Sequence, residues 1–364
     1  MAKEKKLYLE LIRALAIFLV IFNHTETKGF FLFSVRQSSA LYPLYMFLSI
    51  ACKTGVPLFW MVSGSLLLPK EESIRYVYRH RVLRMVLVLV LFSFFFYLFT
   101  IFKGLDVFDF TYFLTRLYTE GHVIAYWFLY SYIGMLMMLP FLRKLVKSMT
   151  KNQFLYLFLL ILIMKGVIPI LQYLVSTIPA VKTATDNNAL VMNGYLTSNL
   201  FSQDVFYFIA GYYFGCYLKD EELNRKHALA WVSAGILAIV ISCLMTQYKI
   251  NITGVADEES SETFYNNLIS FPTFAVFYSA RLFFCRRSIS AGVKKIILVL
   301  GRSAFGIMLC ENALRMQLEP YYYYYFKPLF PRMLACLIWV AVIYLAGLVI
   351  TTGLKQIPGI KKLI

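Results

Sequence analysis

Two polar residues stand out in one apolar stretch near the N-terminus. Residues 7–24 read LYLELIRALAIFLVIFNH, and Arg13 and His24 lie eleven positions apart within them. In an α-helix this spacing amounts to about three full turns, so both side chains project from one face, roughly 16 Å apart along the axis. Glu10 precedes Arg13 by three residues and is therefore placed to pair with it.

Ionisable groups in a membrane helix usually line a bundle interior or a water-filled cavity. The Arg13 guanidinium suits the phosphates of an anionic cofactor, and the His24 imidazole suits a general base acting on an acceptor hydroxyl. Two plainer interpretations compete with this one. Arg13 extends to the lipid headgroups, and His24 is an interfacial residue at a helix end. The spacing alone leaves these alternatives open.

The elements that must position these residues are membrane helices. The 364 residues are 60% hydrophobic and 15% charged, whereas soluble domains are about 45–50% apolar and about 25% charged. We predict an all-α membrane protein, with residues 1–364 forming a single polytopic domain and about ten helices crossing the bilayer. Ten apolar segments approach the roughly 20 residues that such a crossing needs: 7–25, 43–68, 83–103, 125–142, 153–176, 203–218, 228–247, 264–284, 296–316 and 332–353.

The net charge of +17 is explained by membrane topology rather than by nucleic-acid binding. Lysine and arginine concentrate in alternate loops, which by the positive-inside rule predicts that both termini are cytoplasmic. His24 then lies towards the exterior. The six cysteines are scattered singly, so neither a metal site nor a disulfide framework is indicated. The basic residues that start the chain support the same orientation: Lys3, Lys5 and Lys6.

A second set of polar and helix-breaking residues lies in the segment 43–68 and the loop after it. Pro57 predicts a kink, because it removes a backbone donor inside the segment. Ser63 either permits close helix packing or lines a cavity. The basic residues that follow are either the positive-inside signal or a phosphate site for a nucleotide cofactor at the membrane surface. They include Arg75, Arg79, Arg81 and Arg84.

Together these motifs resemble acyltransferase family 3, the integral-membrane O-acyltransferases of surface polysaccharides. The matching segments occur in family order over most of the chain. They are Glu10-x-x-Arg13-Ala14 with His24, the stretch from Gly55 to Gly64, Arg79-x-Arg81-x-x-Arg84, Trp127-Phe128-Leu129-Tyr130, Tyr207 to Tyr212 and Ser303 to Ile307.

The resemblance implies ten helices around an acyl-CoA cavity in the bacterial cytoplasmic membrane. It implies transfer of an acetyl group, or alternatively a succinyl group, from cytosolic acyl-CoA to a hydroxyl of a cell-surface glycan or its lipid-linked precursor. His24 is then the base, Arg13 and Glu10 complete the catalytic group, and no metal takes part. The residues expected to face the CoA are Arg79, Arg81, Arg84 and Ser63.

Two departures from the family pattern concern the acceptor. Many members carry a histidine shortly after the segment that matches Ser303 to Ile307, whereas this chain has Glu311 and Asn312 there. The family also tends to place a histidine directly before the tryptophan segment, whereas His122 precedes Trp127 by five residues. We expect acceptor contacts from Trp127, His122, Glu311 and Asn312, with an ordinary loop histidine as the alternative for His122.

Other classes of function remain open from the sequence. The first alternative is a transporter or flippase of a glycan or polar metabolite, with an anion path along intramembrane cations such as Arg13, Lys53 and Arg302. The second is a membrane sensor without catalysis. If the protein is an acyltransferase, the lack of a GxSxG nucleophile motif favours direct transfer of the acyl group from donor to acceptor over an acyl-enzyme intermediate.

Overall fold

Helices make up all the regular structure in the part of the chain that a computed structural model describes. That part comprises residues 7–185, 190–192, 202–257 and 268–364. No strand occurs in these ranges, so the predicted all-α class is confirmed. The basic residues that start the chain lie outside the described ranges: Lys3, Lys5 and Lys6.

Thirteen long helices, here numbered in chain order, build the described part of the bundle. They are α1 Leu7–Asn23, α2 Tyr42–Cys52, α3 Gly55–Leu67, α4 Leu83–Phe102, α5 Phe110–Thr119, α6 Trp127–Ser148, α7 Lys151–Ile161, α8 Ile168–Ser176, α9 Gln203–Tyr212, α10 Arg225–Thr253, α11 Ser270–Arg286, α12 Ala291–Tyr321 and α13 Arg332–Leu354. Shorter helical pieces are Glu26–Lys28, Leu32–Val35, Ile74–Val77, Tyr78–Val82, Ile124–Tyr126, Leu162–Val167, Pro179–Ala184, Tyr213–Tyr217, Asp220–Glu222, Tyr322–Phe326, Lys327–Leu329 and Pro358–Lys361.

Several helices begin at a side chain that accepts a free backbone N–H of the first turn. Such capping stabilises a helix end that otherwise leaves its first donors unpaired. Within the apolar spans the helix satisfies its own backbone, which is the condition for crossing lipid. The capping side chains belong to Asp109, Thr150, Ser202 and Asn224.

Six helical stretches of the described chain are long and apolar enough to cross a membrane. They establish a multi-pass membrane protein, while the count of ten crossings and the cytoplasmic termini stay predictions. The six are Tyr42–Leu67, Ile74–Phe102, Ile124–Ser148, Lys151–Ser176, Arg225–Thr253 and Arg332–Leu354.

The segment predicted as one kinked helix at 43–68 consists of two helices. A turn at Lys53 and Thr54 separates α2 from α3, and the Thr54 hydroxyl donates to the Ala51 carbonyl at 2.9 Å. Pro57 therefore stands in the first turn of α3, where its missing N–H costs little. The break brings Lys53 to the middle of a membrane segment.

Helix α1 lies at the centre of the bundle, packed against α3, α11, α12 and α13. Its side chains Ile12, Ala16, Ile17 and Ile21 are almost completely buried. A Cβ at Gly301 of α12 would overlap the backbone of α1 at Glu10. The two helices consequently approach at backbone contact, as small residues allow in membranes.

Helices α3 and α9 cross at a reciprocal glycine pair. A Cβ at Gly64 would overlap the carbonyl of Phe208, and a Cβ at Gly211 would overlap the carbonyl of Met61. The Ser65 hydroxyl donates to the Gly211 carbonyl at 2.5 Å. This crossing fixes the start of α9 beside the break between α2 and α3.

Candidate active site

His24 and Glu311 form a hydrogen-bonded pair between the end of α1 and the middle of α12. His24 directly follows Asn23, the last residue of α1, and its Nδ1 lies 2.9 Å from Glu311 Oε1. The Glu311 side chain is completely buried. A carboxylate accepts hydrogen bonds, so Nδ1 carries the proton and donates it. The other ring nitrogen, Nε2, is then left as a proton acceptor.

Arg315, one turn after Glu311 on α12, completes this pair. Its Nε lies 3.5 Å from Glu311 Oε2, and its Nη1 donates to the backbone carbonyl of His24 at 2.9 Å. Its Nη2 donates to Asn312 Oδ1 at 2.7 Å. A buried carboxylate is costly unless a cation and hydrogen bonds compensate it. Arg315 supplies the cation and also fixes the backbone that carries the imidazole.

The turn after His24 contains a residue in a backbone conformation that an ordinary loop would not favour. Glu26 has φ 51°, in the left-handed region that non-glycine residues rarely adopt. The buried Thr25 hydroxyl donates to the Phe22 carbonyl at 2.7 Å and accepts from the Phe30 N–H at 2.9 Å. Such strain persists only where the surrounding structure imposes it.

The His24 imidazole also lines a cavity of about 360 Å³. The cavity lies where the end of α1, the break between α2 and α3, and the starts of α6 and α9 meet. Its volume is within the lower range of small-ligand sites, about 300–1,000 Å³. The polar and aromatic side chains in its wall are Asn23, His24, Lys53, Trp60, Trp127, Gln203, Asp204 and Tyr207.

Arg13 lies towards the other end of α1, away from this cavity. Its Nη1 donates to Glu10 Oε1 at 3.0 Å and Oε2 at 3.2 Å, so the predicted pairing of the two residues is confirmed. The Arg13 side chain remains 30% exposed. It also lies near enough to Tyr132 for an electrostatic interaction, and Ser63 lies close to the Tyr132 hydroxyl.

Trp60 connects the two regions. It is fully buried and lines the cavity that holds His24. On its other side its ring lies 5.8 Å from that of Tyr132 and 4.7 Å from that of Phe128. Arg13 and His24 are thus at opposite ends of a layer of aromatic rings between α3 and α6.

The three arginines of the basic motif have different surroundings. Arg81 pairs with Glu72, which also accepts from Arg143 at 2.8 Å. The Arg81 hydrogen bond lowers the pKa of the Glu72 carboxyl to about 2. Arg84 donates two hydrogen bonds to the Leu363 carbonyl, from Nε at 3.0 Å and from Nη2 at 2.9 Å. Like Arg81, it lies near enough to Tyr132 for an electrostatic interaction. Arg79 is exposed.

The four residues expected to contact an acceptor do not lie together. Trp127 lines the cavity. Glu311 instead accepts a hydrogen bond from His24, and Asn312 accepts one from Arg315. His122 packs elsewhere. Its Nε2 donates to the Phe113 carbonyl at 2.9 Å, and its ring stacks on the Phe113 ring at 4.7 Å.

No cluster of potential metal ligands occurs among the described residues. The family model of the acyltransferase 3 domain, described as an acyltransferase domain, matches residues 6–355. The chain belongs to this family. No curated protein and no solved structure matches it. The acyltransferase is therefore known by its family and by its multi-pass helical architecture.

Three side chains of the candidate site received no role from the sequence. Arg315 lies at the end of the apolar segment 296–316, and its four-residue spacing from Glu311 places both on one helix face. Trp60 lies within the Gly55 to Gly64 stretch that carries the family resemblance. Asp204 opens the short apolar segment 203–218, and a carboxylate at a helix start is ordinarily explained by the helix dipole.

Proposed function

We propose that the protein transfers an acyl group from cytosolic acyl-CoA to a hydroxyl of a cell-surface glycan or of its lipid-linked precursor. Acetyl is our first choice of acyl group and succinyl the second, and the bacterial cytoplasmic membrane is the expected location. The observation that carries the proposal is the buried Glu311 carboxylate against Nδ1 of a cavity-lining His24. Membership of an acyltransferase family supports the reaction class.

His24 is assigned as the general base. Its Nε2 takes the proton of the acceptor hydroxyl while that oxygen attacks the thioester carbonyl. The C–O bond forms and the C–S bond breaks, and the imidazolium then protonates the departing CoA thiolate. Glu311 holds the imidazole in the required tautomer and stabilises the imidazolium, as the acid of a catalytic triad does. No nucleophile motif is present in the sequence, which favours direct transfer.

The donor is assigned to the side of Arg13. Uncompensated guanidinium groups bind phosphates through paired hydrogen bonds. Arg84 and the exposed Arg79 suit this task better than Arg81, whose charge Glu72 compensates. The acyl end of the donor then reaches His24 past the layer formed by Trp60 and Tyr132. We assign Ser63 to this route because it lies near Tyr132.

The experiment measures the transfer of a radiolabelled acetyl group from acetyl-CoA to a panel of sugar acceptors by the protein in lipid nanodiscs. Wild type is compared with His24→Ala, with His122→Ala as the matched control, because the His122 imidazole packs outside the cavity. Acetyl-CoA binding is measured in the same samples. We expect His24→Ala to bind acetyl-CoA and lose transfer, and His122→Ala to keep both. A folded wild type that binds no acetyl-CoA or succinyl-CoA refutes the proposal.

A further inference from the structure

Asp204 presents a carboxylate in the wall of the cavity beside His24. It lies in the first turn of α9, and its Oδ2 accepts from the Ser131 hydroxyl at 2.6 Å. Among the described residues, no lysine or arginine forms an ion pair with it. Lys53 lines the same cavity, but its Nζ lies over the Phe30 ring, 4.3 Å from the centroid. A carboxylate offers about four acceptor positions, and Ser131 occupies one of them.

A buried donor without a partner lies in the same wall. The indole N–H of Trp60 makes no hydrogen bond to any described residue, although Trp60 is fully buried. It lies close to the Asp204 carboxyl group, but the pair does not have the geometry of a hydrogen bond. Buried polar groups are nearly always hydrogen-bonded, to a ligand or water if not to protein. The cavity wall therefore has a carboxylate with acceptor positions beyond the one that Ser131 fills, and close to it an indole N–H without a hydrogen bond of good geometry.

Trp127 adds a flat apolar surface to this polar pair. Its side chain lines the cavity and is 47% exposed. Aromatic rings of this kind combine a large contact area with fixed geometry. A stacking surface, a carboxylate and an indole N–H within one small cavity suit a ring that carries hydroxyl groups on its edge and apolar C–H groups on its face.

We propose that Asp204 binds the acceptor and selects a neutral sugar over an acidic one. The inference rests on the proposed function, since it places the sugar hydroxyl beside His24. Asp204 accepts hydrogen bonds from sugar hydroxyls while Trp127 packs on the ring face. A uronic acid would bring a second carboxylate next to Asp204, and like charges at close range are repulsive. Ser131 orients Asp204.

The test uses two glycosides that differ only at C6, p-nitrophenyl β-glucoside and p-nitrophenyl β-glucuronide. Their binding to the protein in nanodiscs is measured by calorimetry without donor, and acetyl-CoA binding is measured separately. Wild type is compared with Asp204→Asn and Ser131→Ala. Glu120→Gln is the matched control, because Glu120 is an exposed carboxylate outside the cavity wall.

Wild type is expected to bind the glucoside about tenfold more tightly than the glucuronide, the size of one charge-assisted hydrogen bond. Asp204→Asn loses this preference and weakens glucoside binding, while Ser131→Ala has a smaller effect and Glu120→Gln has none. Equal binding of the two glycosides by wild type, no binding of either, or an unchanged Asp204→Asn overturns the inference. Acetyl-CoA binding should be unaffected by all three variants. Absence of acetyl-CoA binding with the glycoside preference intact refutes the acyl-transfer proposal alone.

Discussion

The imidazole of His24 and the carboxylate of Glu311 lie 2.9 Å apart although 287 positions separate them in the chain. Both belong to helices that pack at backbone contact, because Gly301 of α12 leaves room for α1 at Glu10. Arg315 joins the two residues by contacting the Glu311 carboxylate and the His24 carbonyl. This constellation is the basis of the first two predictions.

Replacing Glu311 by Gln keeps the volume of the side chain and removes its charge. We expect kcat for acyl transfer to fall about 100-fold or more, because the imidazolium loses its partner and the His24 tautomer is no longer fixed. The KM for acyl-CoA should stay within about twofold, since Glu311 is not assigned to donor binding. Steady-state kinetics measure both values. A variant with unchanged kcat would show that Glu311 only packs behind His24.

Replacing Arg315 by Ala leaves the Glu311 carboxylate buried without its cation. We expect a loss of stability of about 2 kcal/mol, below the 3–5 kcal/mol of fully buried pairs. The reduction is expected because the Arg315 side chain is 20% exposed. The measurement is the thermal unfolding midpoint in detergent. The double variant Arg315→Ala/Glu311→Gln should recover part of the loss, and no recovery would show that the charge of Glu311 is not its cause.

The ion-pair network of Glu72 predicts stability that is lost in acid. The pKa of Glu72 is lowered from 4.5 to about 2 by the Arg81 hydrogen bond. A carboxyl with a depressed pKa in the folded state stabilises the fold above the pKa of the unfolded chain, and this contribution disappears as the pH falls towards the folded value. The Tm of wild type should therefore fall more steeply than that of Glu72→Gln between pH 4.5 and 2.

The control for this pH dependence is the neighbouring carboxylate. Glu71 pairs with Lys147 at 2.7 Å, but its side chain is 84% exposed. Exposed pairs of this kind contribute little to stability. Glu71→Gln should therefore keep the acid dependence of wild type. Parallel curves for wild type and Glu72→Gln would contradict the assignment to Glu72.

The glycine crossing of α3 and α9 predicts position-specific sensitivity to a single methyl group. Gly211→Ala should destabilise the protein by about 1–3 kcal/mol, because the added Cβ overlaps the Met61 carbonyl and the helices must separate. Gly134→Ala is the matched control on α6, since nothing lies within 4 Å of its Cβ position. It should be neutral or stabilise by up to about 1 kcal/mol. The measurement is the thermal unfolding midpoint of each variant. Equal changes in stability for Gly211→Ala and Gly134→Ala would contradict the close crossing of α3 and α9.

Local features of the site were predictable because helical spacing alone produces them. The pairing of Glu10 with Arg13 follows from three residues of separation on one helix, and the structure has it at 3.0 Å. The all-α class followed from composition and from the length of the apolar segments. The family resemblance followed from motifs in order along the chain, and the family match over residues 6–355 agrees with it.

Contacts across the bundle were not predictable, because no periodicity links residues on different helices. Glu311 was expected to contact an acceptor, yet it lies against His24 and is itself completely buried. Arg81 was grouped with Arg79 and Arg84, yet Glu72 compensates its charge. The break between α2 and α3 was predictable only in part, because Pro57 predicted a kink whereas the structure has a turn at Lys53 and Thr54 that divides 43–68 into two helices.

The sequence by itself determined the helical membrane architecture, the family and the candidate base, because hydropathy, spacing and residue type are local properties. Tertiary structure alone decided which carboxylate orients His24 and which residues share its cavity. The physical reason lies in the close helix crossings at Gly301 and Gly211, where the lack of side chains lets distant helices meet. Those crossings place Glu311 behind the imidazole and Asp204 in the wall that faces it.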